Sequence, residues 1–280
     1  MRSACVVGAT SVVMMLSACR DITAPSSARP TSGQPDFIVS GDPTGSAYSN
    51  VGALLFDFDE NGTIDGNDEW CSGSLVAPDV FLTASHCIVT PFTPPGSQFY
   101  VSFAPDLFAN GIKVIAATNV VHDPLYGHDK AKLHDLALVF LPAGSTRGMT
   151  PVKLPKAGAL DQLAAKGQLS TTMFVNVGYG VDASRDGKTA FGFDGVRKSS
   201  LSEFSSLTQT WLKLLMNASA TGAGGDCFGD SGGPKFIQGD ATTIYATVTT
   251  GDANCRATTW DWRLDTPEAR GFLGQYLRLP

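Results

Sequence analysis

The stretch Cys227-Phe-Gly-Asp-Ser-Gly-Gly-Pro234 is a poor recipe for a helix or a strand interior, because glycine breaks it at 229, 232 and 233. Glycines reach backbone angles that other residues resist, so a loop here can aim several N–H groups at one point. Amides converging beside a hydroxyl are the ingredients of a nucleophile with an oxyanion hole, and Ser231 carries the hydroxyl. Gly-Asp-Ser-Gly is also ordinary turn composition. The presence or absence of a base elsewhere in the chain separates the two readings.

Near neutral pH the usual base for a hydroxyl is imidazole. The four histidines are His86, His122, His128 and His134, and all precede Ser231. α/β-Hydrolases place their histidine after the serine, so that class is excluded as long as histidine is the base. His122 and His128 stand in polar sequence and read as surface residues. His134 touches Asp135 in sequence, and strand alternation sends neighbouring side chains to opposite faces. His86, beside a cysteine, is the best base.

Working outward, 280 residues with 43% apolar, 16% charged and 30 glycines make a loop-rich globular chain of one large domain or two small ones. A net charge of −6 leaves no electrostatic footprint for nucleic acid. From Ile38 onward, β-branched and aromatic runs at 51–56, 74–76, 80–83, 98–103, 112–121, 136–141, 173–177 and 244–249 are separated by Gly, Pro, Asp and Asn. That spacing predicts an all-β sandwich or barrel. Residues 207–216 fit a strand or a short helix. The clearest helix signal is C-terminal, where Asp265-Thr-Pro-Glu268 resembles a capping box ahead of 269–279.

The N-terminus is different in kind. Arg2 followed by an apolar run at 6–16 reads as a secretory signal over 1–19, the run being too short for a permanent anchor. Leu16-Ser-Ala-Cys19 resembles the lipobox of bacterial lipoproteins, which implies lipidation of Cys19 and attachment to a membrane surface. The plainer alternative is a signal with a small-residue cleavage site and a chance cysteine. Residues 20–37, rich in Pro, Ser, Thr and Gly, read as a flexible tether or propeptide. Past the signal, Cys71, Cys87, Cys227 and Cys255 predict two disulfides in an oxidising compartment, and spacing alone leaves all three pairings open.

One further loop runs from Asp57 to Asp68. Asp57, Asp59, Asn61, Thr63 and Asp65 place oxygens at positions 1, 3, 5, 7 and 9, with Gly62 at 6 and Asp68 last. The pattern is that of a calcium loop in a structural role. A shorter Asp in place of the final Glu, and the lack of flanking helices, leave a solvated acidic hairpin tip as the alternative.

Three blocks carry a family resemblance: Leu82-Thr-Ala-Ser-His-Cys87, His134-Asp-Leu-Ala-Leu138 and Gly229-Asp-Ser-Gly-Gly-Pro234. They resemble the signatures of trypsin/chymotrypsin-like serine proteases, in that family's His–Asp–Ser order. Cys71-Ser-Gly-Ser-Leu-Val76, Gly178-Tyr-Gly180 and Thr249-Thr-Gly251 agree, so the resemblance covers roughly 38–279. It implies an all-β fold of two antiparallel six-stranded Greek-key β-barrels with a short C-terminal α-helix, the first barrel over about 38–147 and the second over 148–280. It implies an exported serine endopeptidase, a monomer acting on protein or peptide, in which catalysis uses no cofactor. Ser231 would attack the scissile carbonyl, His86 would carry its proton, and Asp135 would orient the imidazole. The amides of Gly229 and Ser231 would form the oxyanion hole. The implied disulfides are Cys71–Cys87 and Cys227–Cys255, each closing a loop worth ~3 kcal/mol on the chain-entropy argument. A catalytically silent scaffold and an esterase with the same triad are the alternatives.

Two features depart from the family pattern. Gly225, six before the serine, stands where an aspartate announces basic substrates. The adjacent Asp226 either supplies that carboxylate, which is the reading preferred here, or turns away and leaves an apolar pocket; Thr249 and Gly251 would line its wall. Ile38-Val-Ser-Gly41 resembles the family's mature start, whose amine pairs with the aspartate before the serine, here Asp230. Ser40 replaces the usual glycine there.

Overall fold

A computed structural model describes residues 41–94, 96–183, 191–217 and 221–280. The signal, Cys19, the tether and Ile38 lie outside the described residues. The strands of the first half are β1 (Asp42–Pro43), β2 (Val51–Phe56), β3 (Glu69–Ala77), β4 (Val80–Thr83), β5 (Phe99–Ser102), β6 (Val114–Ala116), β7 (Asn119–His122) and β8 (Ala137–Phe140). The second half adds β9 (Met173–Gly178), β10 (Asp182–Ala183), β11 (Phe191–Gly192), β12 (Lys198–Leu207), β13 (Trp211–Leu215), β14 (Pro234–Ile237), β15 (Asp240–Gly251) and β16 (Thr258–Arg263). Helix α1 (Ala159–Ala165) lies between the halves and α2 (Pro267–Leu273) ends the fold.

All named strand pairs are antiparallel. The second sheet runs β12-β13-β16-β15-β14-β9 and closes on itself through β9 and β12, while β1 joins β12 from outside. The first sheet runs β6-β5-β2-β3-β4-β8-β7 without a ladder between its ends. Those ends are consecutive in the chain: β6 pairs with β5, β7 with β8, and only Ala117 and Thr118 separate them. Counted as one bent strand, β6 and β7 give the first sheet the same circuit as the second, the first three strands followed by the sixth, fifth and fourth. This is the two-unit Greek-key fold the resemblance implies, with the first unit held round by a bend instead of a closing ladder.

Strand β2 shows why the apolar runs are unbroken. All six of its residues are buried. Leu54 and Phe56 pack into the first barrel with Phe81, Phe99, Val101 and Val139. Ala53 and Leu55 face the other way, onto Tyr179 and Leu107. A strand covered on both faces has no reason to alternate polar and apolar residues. A larger cluster draws Val51, Leu82 and Leu138 together with Val177, Trp211, Phe236, Trp262 and Phe272, so the two barrels and α2 share one apolar seam. Arg197 pins the same seam through hydrogen bonds. Its guanidinium is buried and donates to the carbonyls of Val51, Phe103, Gly45 and Ala47 and to the Tyr179 hydroxyl, at 3.0 to 3.3 Å.

Helix α2 is shorter than the sequence suggests. Its N-cap is Thr266, whose hydroxyl accepts from the amide of Ala269, and it stops at Gly274. Within 207–216, Leu207 ends β12 and Trp211–Leu215 form strand β13, so the stretch is strand and turn and not helix. No helix among the described residues is long and apolar enough to cross a membrane.

Candidate active site

Strand β4 ends at Thr83 and the chain turns into a 3₁₀ segment, Ser85–Cys87, which presents His86. Asp135 enters from the segment ahead of β8. Its neighbour His134 sits at φ +58°, a left-handed conformation that costs a non-glycine residue about 1 kcal/mol or more. The His134 ring is anchored on Asp123 at 3.0 Å, and the Ser85 hydroxyl donates to the Leu136 carbonyl at 2.6 Å. The Ser85 bond holds the histidine turn to this segment, and the His134 bond ties the segment to the residue after β7. The buried Asp135 carboxylate then meets His86 twice, at 2.8 Å to Nδ1 and at 2.9 Å from the backbone amide. Burial draws the His86 pKa down, and the Asp135 charge and hydrogen bond outweigh it, leaving the imidazole above its usual range.

Ser231 comes from the loop between β13 and β14. The Cys227–Cys255 disulfide ties this loop, four residues ahead of Ser231, to the segment after β15. Cys71–Cys87 ties the histidine turn to β3, so both pairings implied by the resemblance are present. Ser72 joins the loop to the first barrel. Its amide donates to the Ser231 carbonyl at 2.9 Å, and its hydroxyl donates to the Gly229 carbonyl and accepts from the Tyr179 amide, both at 3.0 Å. Sequence reasoning did not single out Ser72. The signal was its place between Cys71 and Gly73, inside a block that agrees with the family pattern.

Gly229 adopts φ +94°, and a side chain there would come within 3.0 Å of Gly180 and Glu69. Among the described residues the amides of Gly229 and Ser231 donate to no protein acceptor, while those of Asp230, Gly232 and Gly233 do. Two free amides thus lie in the loop that carries the hydroxyl. His86, Gly229 and Ser231 all line one cleft of about 520 Å³. The Ser231 hydroxyl makes no hydrogen bond among the described residues, so the step from Oγ to His86 is open in this structure; such bonds commonly tighten only with substrate bound.

Asp230 lies directly behind. Its carboxylate accepts from the amides of Gly180 (2.9 Å) and Cys227 (2.8 Å), and a Cβ on Gly180 would stand only 2.4 Å from it. Burial, then the charge of Asp226, push its pKa up to about 7. Glu69 sits beside the same loop with Oε1 buried and unpartnered, and burial followed by Asp230 raises its pKa well above the usual carboxylate range.

Of the nominated pocket residues, Asp226, Thr249 and Gly251 line the cleft. Gly225 is buried beneath Met216, whose side chain occupies the space where a Cβ would stand. Asp226 accepts a hydrogen bond from the buried Lys235, a partner that sequence reasoning missed. In the 57–68 loop, Asp57, Asp59 and Asp68 bring carboxylate oxygens within 4.8 Å of one another. Their oxygens accept from the loop's own amides, at Asn61, Gly62, Phe58 and Asp65. Asp65 instead caps the 3₁₀ turn Gly66–Asp68, the Asn61 side chain bonds Asp59, and Thr63 contributes its amide to Asn61.

A family model described as Trypsin matches residues 57–260. Glucanase inhibitor protein 4 of Phytophthora infestans is 33% identical over 183 residues, covering 63% of this chain and 65% of that protein, just under two thirds of the relative. Among solved structures, an HL collagenase superposes with a TM-score of 0.60 at 16% identity, over 84% of this chain and 95% of that one. HBP superposes with a TM-score of 0.62 at 17% identity, over 87% and 98%. At such identities the structures attest the fold alone.

Proposed function

The chain belongs to the trypsin family, and from that membership we propose that it is an exported serine endopeptidase cutting protein or peptide chains through an acyl-enzyme. The observation that carries the reading is the twofold His86–Asp135 contact beside Ser231 in one cleft. Ser231 Oγ attacks the carbonyl carbon as His86 Nε2 takes its proton, and the oxyanion forms against the amides of Gly229 and Ser231. Imidazolium then protonates the leaving amine, and water repeats the sequence to release the acid. Asp135 fixes the tautomer and stabilises the imidazolium.

A second reading has a specific observation behind it, since a curated relative is named as an inhibitor. On that reading the chain is a silent binding member of the fold. The intact histidine, aspartate and serine favour the enzyme, because a scaffold has no need of a buried carboxylate aimed at an imidazole. Digestion of casein separates the alternatives. Wild type should degrade it and Ser231→Ala should not; hydrolysis of simple esters with casein left intact would point to the esterase, and no turnover at all to the scaffold.

The signal-like start and two disulfides support export, and a lipid on Cys19 would hold the enzyme at a membrane surface. Cleavage after Phe37 would give Ile38 an amine able to pair with Asp230. The support is the cost of a buried carboxylate neighboured by Asp226 and Glu69. N-terminal sequencing of the casein-degrading species should read Ile-Val-Ser-Gly; an active species beginning at Cys19 would rule this out.

A further inference from the structure

Behind Asp226, which lines the cleft, lies a buried ionic cluster that the triad does not use. Lys235 lies on β14 with its side chain wholly buried, an expensive place for an ammonium unless every proton is answered. Three acceptors surround it. Nζ donates to Asn176 Oδ1 at 2.7 Å and to Asp226 Oδ2, and Asp261 Oδ1 lies 3.5 Å away. Asp261 also accepts from Thr259. Burial pushes the Asp261 pKa up to about 8, against the pull of Lys235.

Met216 adjoins Asp226. It packs on Gly225 so closely that a Cβ there would lie 2.2 Å from its Cγ, and its sulfur faces the Asp226 amide at 3.3 Å. Met216 and Asp226 both line the cleft that holds Ser231, so a thioether takes up space there and the Asp226 carboxylate is already engaged by Lys235. Thr249 adds a buried hydroxyl with no partner among the described residues, a neutral polar contact in the wall.

Resting on the endopeptidase reading, we infer that Lys235 sets specificity: by holding Asp226, it makes the pocket select a small uncharged side chain before the scissile bond and refuse Arg and Lys. Lys235 is a positioning residue here, acting on substrate through Asp226. A substrate cation arriving at Asp226 would have to compete with an ammonium already seated, and would give up its own hydration to do so.

The test pairs turnover with binding. A peptide library cleaved by wild type should show Ala, Val or similar residues before the cut; a preference for Arg or Lys overturns the inference without any variant. In Lys235→Met, the freed Asp226 should raise kcat/KM for Arg relative to Ala peptides on the order of 100-fold. An unchanged ratio in a variant with native circular dichroism overturns the role of Lys235. Benzamidine, a small mimic of the arginine cation, supplies an arm that needs no catalysis. Calorimetry should find no binding to wild type and binding to Lys235→Met, and binding to wild type would sink the proposal. If wild type cuts nothing yet benzamidine discriminates as expected, the endopeptidase reading fails and the pocket assignment stands.

Discussion

The proposed chemistry turns on two residues, His86 and Asp135, and their contact fixes a pH dependence. In the proposed mechanism His86 must be neutral to accept the Ser231 proton, and Asp135 holds its pKa above the usual 6.5 against burial. Activity should thus rise with pH through that elevated value. The stability the charged pair contributes runs the other way: it is full below the unfolded pKa and is lost as pH rises through the folded one. Asp135→Asn should lower kcat about 10⁴-fold and move the acid limb of kcat/KM to lower pH. A limb that stays put would mean that Asp135 is not what raises the imidazole. At this scale the sequence was legible where motifs are local, as with the histidine, aspartate and serine. It was silent on Ser72, Lys235 and Arg197. Each of these works through partners far along the chain; Lys235 and Asn176, for example, are 59 positions apart.

Elements were legible in proportion to how apolar they are. Strands β2, β4, β5, β8 and β9 fall within a residue or so of the runs in the sequence. Strand β12 escaped because its inward positions are Lys198, Ser200 and Ser202, and the two serines bond Asn176 at 2.9 and 2.8 Å. A polar layer inside the barrel hides the alternation that marks a strand. Helix α1 escaped for want of a start signal, since Gly158 at its N-cap offers no side-chain oxygen. The 57–68 loop raises a question proper to this scale. Three of its carboxylates converge, and we propose that they hold a structural calcium ion in exchange for their bonds to the loop's own amides. Calorimetric titration should show binding at or below about millimolar calcium, with a rise in thermal midpoint; no heat at that concentration removes the ion.

For the whole molecule, the question is what keeps two barrels in the register that brings His86 and Ser231 to one cleft. The apolar seam supplies area but little direction. Direction comes from Ser72, which bonds the serine loop from the first barrel, and from Arg197, which ties β2, the 44–47 segment and Tyr179 together. Arg197→Ala would leave several buried carbonyls unanswered, at a cost of about 3–5 kcal/mol in denaturant unfolding. A loss under about 1 kcal/mol would show that the seam alone sets the register. The repeated strand circuit could be expected from the family resemblance. The bend at Ala117 and Thr118 that rounds the first barrel could not, because the run 112–121 reads as one continuous strand.

The central claim, that Ser231 is a nucleophile activated by His86, is tested most directly by labelling the folded protein with a fluorophosphonate and locating the adduct by mass spectrometry. One equivalent on Ser231 of wild type, none on Ser231→Ala and strongly slowed labelling of His86→Ala is the predicted result. An unlabelled wild type with both disulfides intact, or an adduct on any other residue, would contradict it.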